Sequence, residues 1–110
     1  MTTRIVLVTA VAVSLCFVAA TARAESGAEV YTKSCASCHG ADLKGQTPAG
    51  KAMKTPDLTS PEVRAKFDKA SLTTLVSDGA AADKKHKAMK DKLTPEQVSA
   101  AIDYVIAGGK

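Results

Sequence analysis

Cys35, Cys38 and His39 stand in the run Cys35-Ala36-Ser37-Cys38-His39, a C-x-x-C-H pattern. Two thiols at this spacing can each add across a vinyl group of one porphyrin, giving two thioethers. The histidine next in line can then offer an imidazole nitrogen to the iron, so the pattern reads as covalent haem attachment. Two other chemistries use cysteines in this way. A zinc site would need the sequence neighbours Cys38 and His39 in one tetrahedron, with a fourth ligand from far away. A thioredoxin-type dithiol would need strands around it. Beyond residue 24 no segment alternates apolar and polar residues for long, so no strand is expected. Haem is the reading that employs all three residues.

The chain before this motif bears on whether the chemistry is available. Arg4 supplies a positive start, and Ile5 to Ala20 form an apolar run broken only by Thr9 and Ser14. Ala22-Arg23-Ala24 is an A-x-A cleavage site before Glu25, so residues 1–24 read as a secretory signal peptide rather than an uncleaved anchor. Cleavage removes Cys16 and leaves only the two motif cysteines. Export to the periplasm, an oxidising space, is the expectation, with no stable membrane insertion afterwards. Residues 25–110 then make one domain. Of the 15 basic residues Arg4 and Arg23 lie in the leader, and none of the 11 acidic ones does, which leaves a net charge of +2. Such a balance gives no support to nucleic-acid binding.

A domain of this size has a marginal core of its own, and its only aromatics are Tyr31, Phe67 and Tyr104. A haem would lend it a large apolar surface. The elements that must position the motif read as short helices. The first runs from about Ser26 to Ser34 into the motif, with Gly27 and Tyr31 one turn apart. A loop follows from Gly40 to Pro56, where Gly40, Gly45, Pro48, Gly50 and Pro56 forbid a long helix. Ser60-Pro61 starts a short helix through about Phe67, with the proline at the first helical position. Asp68 caps the next helix, which carries Leu72, Leu75 and Val76 on one face and stops at Gly79. Thr94-Pro95-Glu96-Gln97 opens the last helix with a capping box. Val98, Ala101, Ile102 and Val105 follow at helical spacing, and Gly108-Gly109 ends it. The fold class is all-α.

In this order and spacing the chain resembles the class I c-type cytochromes, small soluble carriers with a single haem. The resemblance rests on Gly27 and Tyr31, Cys35-Ala36-Ser37-Cys38-His39-Gly40, Thr47-Pro48, Pro56-Asp57-Leu58, and Leu93-Thr94-Pro95-Glu96 leading to Tyr104. It implies a cytochrome c fold, short helices and loops wrapped around one covalently attached haem c, in which the first and last helices cross at right angles. Gly27 and Tyr31 would there meet the turn around Tyr104. It also implies that the Pro48 carbonyl accepts a hydrogen bond from His39, orienting the proximal ring.

The sixth iron ligand is open between two residues of the segment 83–92. Methionine is the family norm, which points to Met89. Counting back from Leu93-Thr94, however, His86 occupies the usual ligand position and Met89 falls where an aromatic often stands. The chain has only two histidines, and His86 is the second. His39 and His86 are the expected axial pair, with Met89 as the alternative; Met53, in a loop distant in sequence, is a poor third. Lys84, Lys85, Lys87, Lys90 and Lys92 crowd the same segment and could draw an acidic redox partner to an exposed haem edge.

With both axial positions filled, the expected function is a periplasmic electron carrier, a monomer and not an enzyme. Two further readings stay open: a haem sensor or enzyme binding a small ligand at an open iron position, and a haem subunit of a larger redox complex.

Overall fold

The structure, a computed structural model, describes residues 25–80 and 86–110. The leader and Asp83, Lys84 and Lys85 lie outside the described residues. Six helices and no strand are present among those described: α1 (Gly27–Ser34), α2 (Ala36–His39), α3 (Pro48–Ala52), α4 (Pro61–Arg64), α5 (Lys69–Asp78) and α6 (Pro95–Ile106).

Every helix except α2, which continues from α1, starts where its sequence supplies a side-chain cap. Ser26 Oγ accepts from the Glu29 amide at 3.2 Å, and Asp68 Oδ2 from the Ser71 amide at 2.9 Å. At α6 the box is reciprocal: Thr94 Oγ1 accepts from the Gln97 amide at 3.2 Å, while Gln97 Oε1 accepts from the Thr94 amide at 2.8 Å. The loop expected over 40–56 contains a helix. Thr47-Pro48 works as Ser60-Pro61 and Thr94-Pro95 do, and Thr47 Oγ1 accepts the Gly50 amide at 2.9 Å. Gly50, read as a breaker, is a buried residue of α3 instead. The α4 helix is shorter than expected and ends at Arg64.

Arg64, the last residue of α4, links it to the rest of the fold. Its guanidinium donates to the carbonyls of Val105 (3.3 Å) and Ile106 (2.6 Å), tying α4 to the C-terminal end of α6. There it shares the Val105 carbonyl with the Gly108 amide, takes up that of Ile106, and sets a positive charge at the negative end of the helix dipole.

The core sits where α1 crosses α6 and α5 packs beside them. Val30, Leu93, Val98, Ala101 and Ile102 form one buried cluster, with Leu72, Val76, Met89 and Ile106 against it. Leu75 and Val105 are half-buried. The crossing depends on one missing side chain. A Cβ on Gly27 would stand 2.2 Å from the Ala100 carbonyl oxygen and 3.0 Å from Tyr104 Cβ, so the two backbones touch there. One turn on, the rings of Tyr31 and Tyr104 meet at 5.2 Å between centroids. The pairing of Gly27 and Tyr31 with Tyr104 is thus present.

Gly27→Leu is expected to force α1 off α6. Overpacking of this kind costs about 1–3 kcal/mol, a sizeable share of the stability of a small domain. A thermal melt should show it as a clear drop in Tm, and a variant melting like the parent would remove this crossing from the account.

Candidate haem site

The C-x-x-C-H segment is a single helical turn, α2, set directly on the end of α1. Cys35 closes one helix and opens the next, its amide donating to the Tyr31 carbonyl at 2.8 Å. So short a helix pairs only its first carbonyls itself, and the surrounding chain takes up the rest. The Cys35 carbonyl accepts from the amides of Cys38 (3.3 Å) and His39 (3.0 Å), and that of Ala36 from Gly40 (2.8 Å). Thr47 Oγ1 donates to Ser37 (2.7 Å) and, more weakly, to Cys38 (3.2 Å). The His39 carbonyl accepts from the Gly45 amide at 2.8 Å. The Gly40 carbonyl receives the Tyr31 hydroxyl at 2.5 Å. Every carbonyl from 35 to 40 therefore has a donor, as a segment held in one shape requires.

The electrostatics follow from burial. The Tyr31 phenol, 1% exposed, is pushed up to about 12 by burial and then by Cys35, Tyr104 and Asp42, so it stays neutral and donating. Burial also raises the Cys35 thiol. Both motif cysteines are free and half-buried. Burial, and then His86, lowers the pKa of His39, favouring the neutral imidazole that a metal requires.

His39 and His86 face one another, their ring centroids 6.2 Å apart and the planes inclined by 35°. Nδ1 of His39 is buried and has no hydrogen-bond partner. The expected bond from His39 to the Pro48 carbonyl is therefore not made. Pro48 is the first residue of α3. In His86, Nδ1 lies 2.9 Å from the Lys87 carbonyl. Because a carbonyl only accepts, that nitrogen carries the proton and Nε2 keeps its lone pair. An opposing imidazole and two free thiols one turn apart fit a covalently held haem.

His86 and Met89 are delivered from the end of α5. Gly79, at φ +79°, turns the chain. The Ala80 amide then donates to the His86 carbonyl (3.2 Å), and the Met89 amide to Val76 (2.9 Å). A Cβ on Gly79 would lie 2.8 Å from that His86 carbonyl oxygen. Met89 itself is half-buried against the core cluster. Met53, the poor third candidate, is 43% exposed. Lys87, Lys90 and Lys92 are exposed, and Lys90 reaches Asp78 at 3.5 Å.

The loop residues that hold the motif were not legible as such in the sequence. Thr47 stood out only through its proline, and Leu43 not at all, although it is 3% exposed with φ +65° directly after the motif. The Thr-Pro pair, the same helix start as at Ser60 and Thr94, was the available signal.

The cytochrome c family model matches residues 24–107, and the chain belongs to that family. Among solved structures it is similar to the c-type cytochrome KustC0563, at 26% identity and a TM-score of 0.65, and to a mutant of that same cytochrome, at 27% identity and 0.66. Each likeness covers 78% of this chain and 100% of the other. No curated protein matches. The fold is thus the all-α cytochrome c fold. The cofactor of the family is covalently attached haem c, for which Cys35 and Cys38 are positioned as the thioether cysteines. Its work is haem-based electron transfer with redox partner proteins, and attachment of such a haem takes place outside the cytoplasm.

Proposed function

We propose that the chain is a periplasmic carrier of single electrons, exported by residues 1–24, acting as a monomer, with His39 and His86 as the axial pair of a six-coordinate haem. The haem, when bound, supplies the ferric/ferrous couple. Cys35 and Cys38 would anchor it, and the two imidazoles would hold the iron from opposite sides. The observation that carries this reading is the 6.2 Å between the ring centroids. A first-row metal between two imidazoles, at metal–nitrogen distances of about 2 Å, sets the centroids roughly 6 Å apart. Met89 supports it from the other side, since its amide and side chain are engaged by Val76 and the core.

With both axial positions occupied by side chains, a small substrate has no open place at iron, and outer-sphere transfer remains. A second imidazole favours the ferric state more than a thioether does, which suits a low-potential partner. Exposed Lys87, Lys90 and Lys92, with Lys84 and Lys85 beside them in sequence, suit a partner with an acidic face.

Electron paramagnetic resonance and magnetic circular dichroism of the oxidised holoprotein test the ligand set, and carbon monoxide added to the reduced form tests whether it is closed. The expected result is a low-spin bis-imidazole signature and no prompt uptake of the gas. A histidine–methionine signature would overturn the axial pair. A high-spin iron that binds carbon monoxide at once would favour the sensor or enzyme reading.

A further inference from the structure

We propose that Gly79 is a positioning residue for the distal ligand: its missing side chain leaves the space in which the backbone of residues 86–88 lies, and so sets how far His86 reaches toward the iron. The inference rests on His86 as the ligand opposite His39. An α-helix leaves its last carbonyls without donors of its own. At the end of α5 the segment that carries His86 supplies two of them. The Met89 amide donates to Val76 at 2.9 Å and the Lys90 amide to Ser77 at 3.2 Å. The other end of the segment is held too, because the Ala80 amide donates to the His86 carbonyl at 3.2 Å.

Gly79 lies between these ties. Its backbone, at φ 79° and ψ 173°, occupies a region open essentially to glycine alone. A Cβ there would stand 2.8 Å from the His86 carbonyl oxygen, 3.1 Å from the Ala88 nitrogen and 3.5 Å from the Lys87 carbonyl carbon. All three are backbone atoms of the ligand segment, and none can swing aside as a side chain would. The last of them belongs to the carbonyl that His86 Nδ1 meets at 2.9 Å, so a push on the segment also moves the group that fixes the ring. Ordinary contact begins near 3.4 Å, and the His86 peptide would have to withdraw by roughly half an ångström to reach it. A site of this kind tolerates about 0.5 Å of displacement before its geometry is lost. A single methyl group at residue 79 therefore uses up that tolerance.

The test compares the parent holoprotein with Gly79→Ala and Gly108→Ala. Gly108 has φ +80°, so alanine meets a similar backbone strain there, but its Cβ would find nothing within 4 Å. Both variants are expected to melt below the parent. Gly79→Ala alone is expected to turn part of the ferric iron high-spin and, once reduced, to take up carbon monoxide promptly. A Gly79→Ala holoprotein with the parent's low-spin spectrum and no uptake of the gas, whatever its Tm, would overturn the proposal. So would a Gly108→Ala variant that opens the iron as far, since lost stability would then be cause enough. If Gly79→Ala gives no folded holoprotein, hydrogen exchange in the parent decides. The Ala80 and Met89 amides should be protected, and their exchange within the dead time would show that α5 does not hold the ligand segment. A wrong axial pair would appear in the parent's own spectrum, whereas a wrong role for Gly79 appears only in the contrast between the two alanine variants.

Discussion

Cys35→Ala combined with Cys38→Ala yields a haem-free chain that is largely unfolded. The expectation comes from where the apolar burial lies. The buried hydrophobic residues are Val30, Tyr31, Leu43, Leu93, Val98, Ala101 and Ile102, most of them at the crossing of α1 and α6. The α2, α4 and α5 helices contribute no fully buried residue, and α3 contributes only Gly50. These elements have little to pack against unless a large flat apolar group completes their inner side, and a domain of this size has few other means of offsetting the entropy of folding. Circular dichroism should show loss of most helical signal and no cooperative melt. Mass spectrometry of the parent, matured where haem attachment is possible, should show one haem on residues 25–110. A double variant that melts cooperatively near the parent would remove the cofactor from the centre of the core.

The second large effect separates His86 from Met89. His86→Ala should open the sixth position, admit carbon monoxide to the reduced protein and abolish the bis-imidazole signature. Met89→Ala should leave that signature unchanged and cost about 2 kcal/mol, the low end for such a truncation because Met89 is half-buried. The opposite pair of outcomes would make Met89 the ligand. His86→Met should keep a six-coordinate iron and raise the potential, since a thioether stabilises the ferrous state relative to imidazole. The pair matters more than either variant, because the emptied position invites the remaining ligand to swing in.

The helices could be read from local chemistry because their caps are local. Ser26, Ser60, Asp68 and Thr94 each accept an amide three residues on, and a sequence displays that spacing directly. The same logic applies to Thr47, but the three glycines around it read as a loop. Gly50 is there because Cys38 and Gly45 press on it, a long-range contact that composition does not reveal. The covalent motif was fully legible, since five consecutive residues carry it. The partner of His39 Nδ1 was not: the resemblance alone supplied Pro48, and no hydrogen bond joins the two in this structure. Arg64 shows the remaining limit, as a lone arginine in sequence gives no sign that its acceptors are Val105 and Ile106.

The joint between α1 and α6 also dictates an order of assembly. Its two halves lie near opposite ends of the described chain, so Val30 and Tyr31 gain their cover only after Val98, Ala101 and Ile102 have come round to them. Closing so wide a loop is entropically slow, and contacts this distant in sequence set the pace of folding. A chain presented from its N-terminus exposes Cys35, Cys38 and His39 well before the segment that shuts the core exists to do so. Circularising the chain by joining residue 25 to residue 110 would shorten that search and speed folding while leaving each contact of the finished fold as it is.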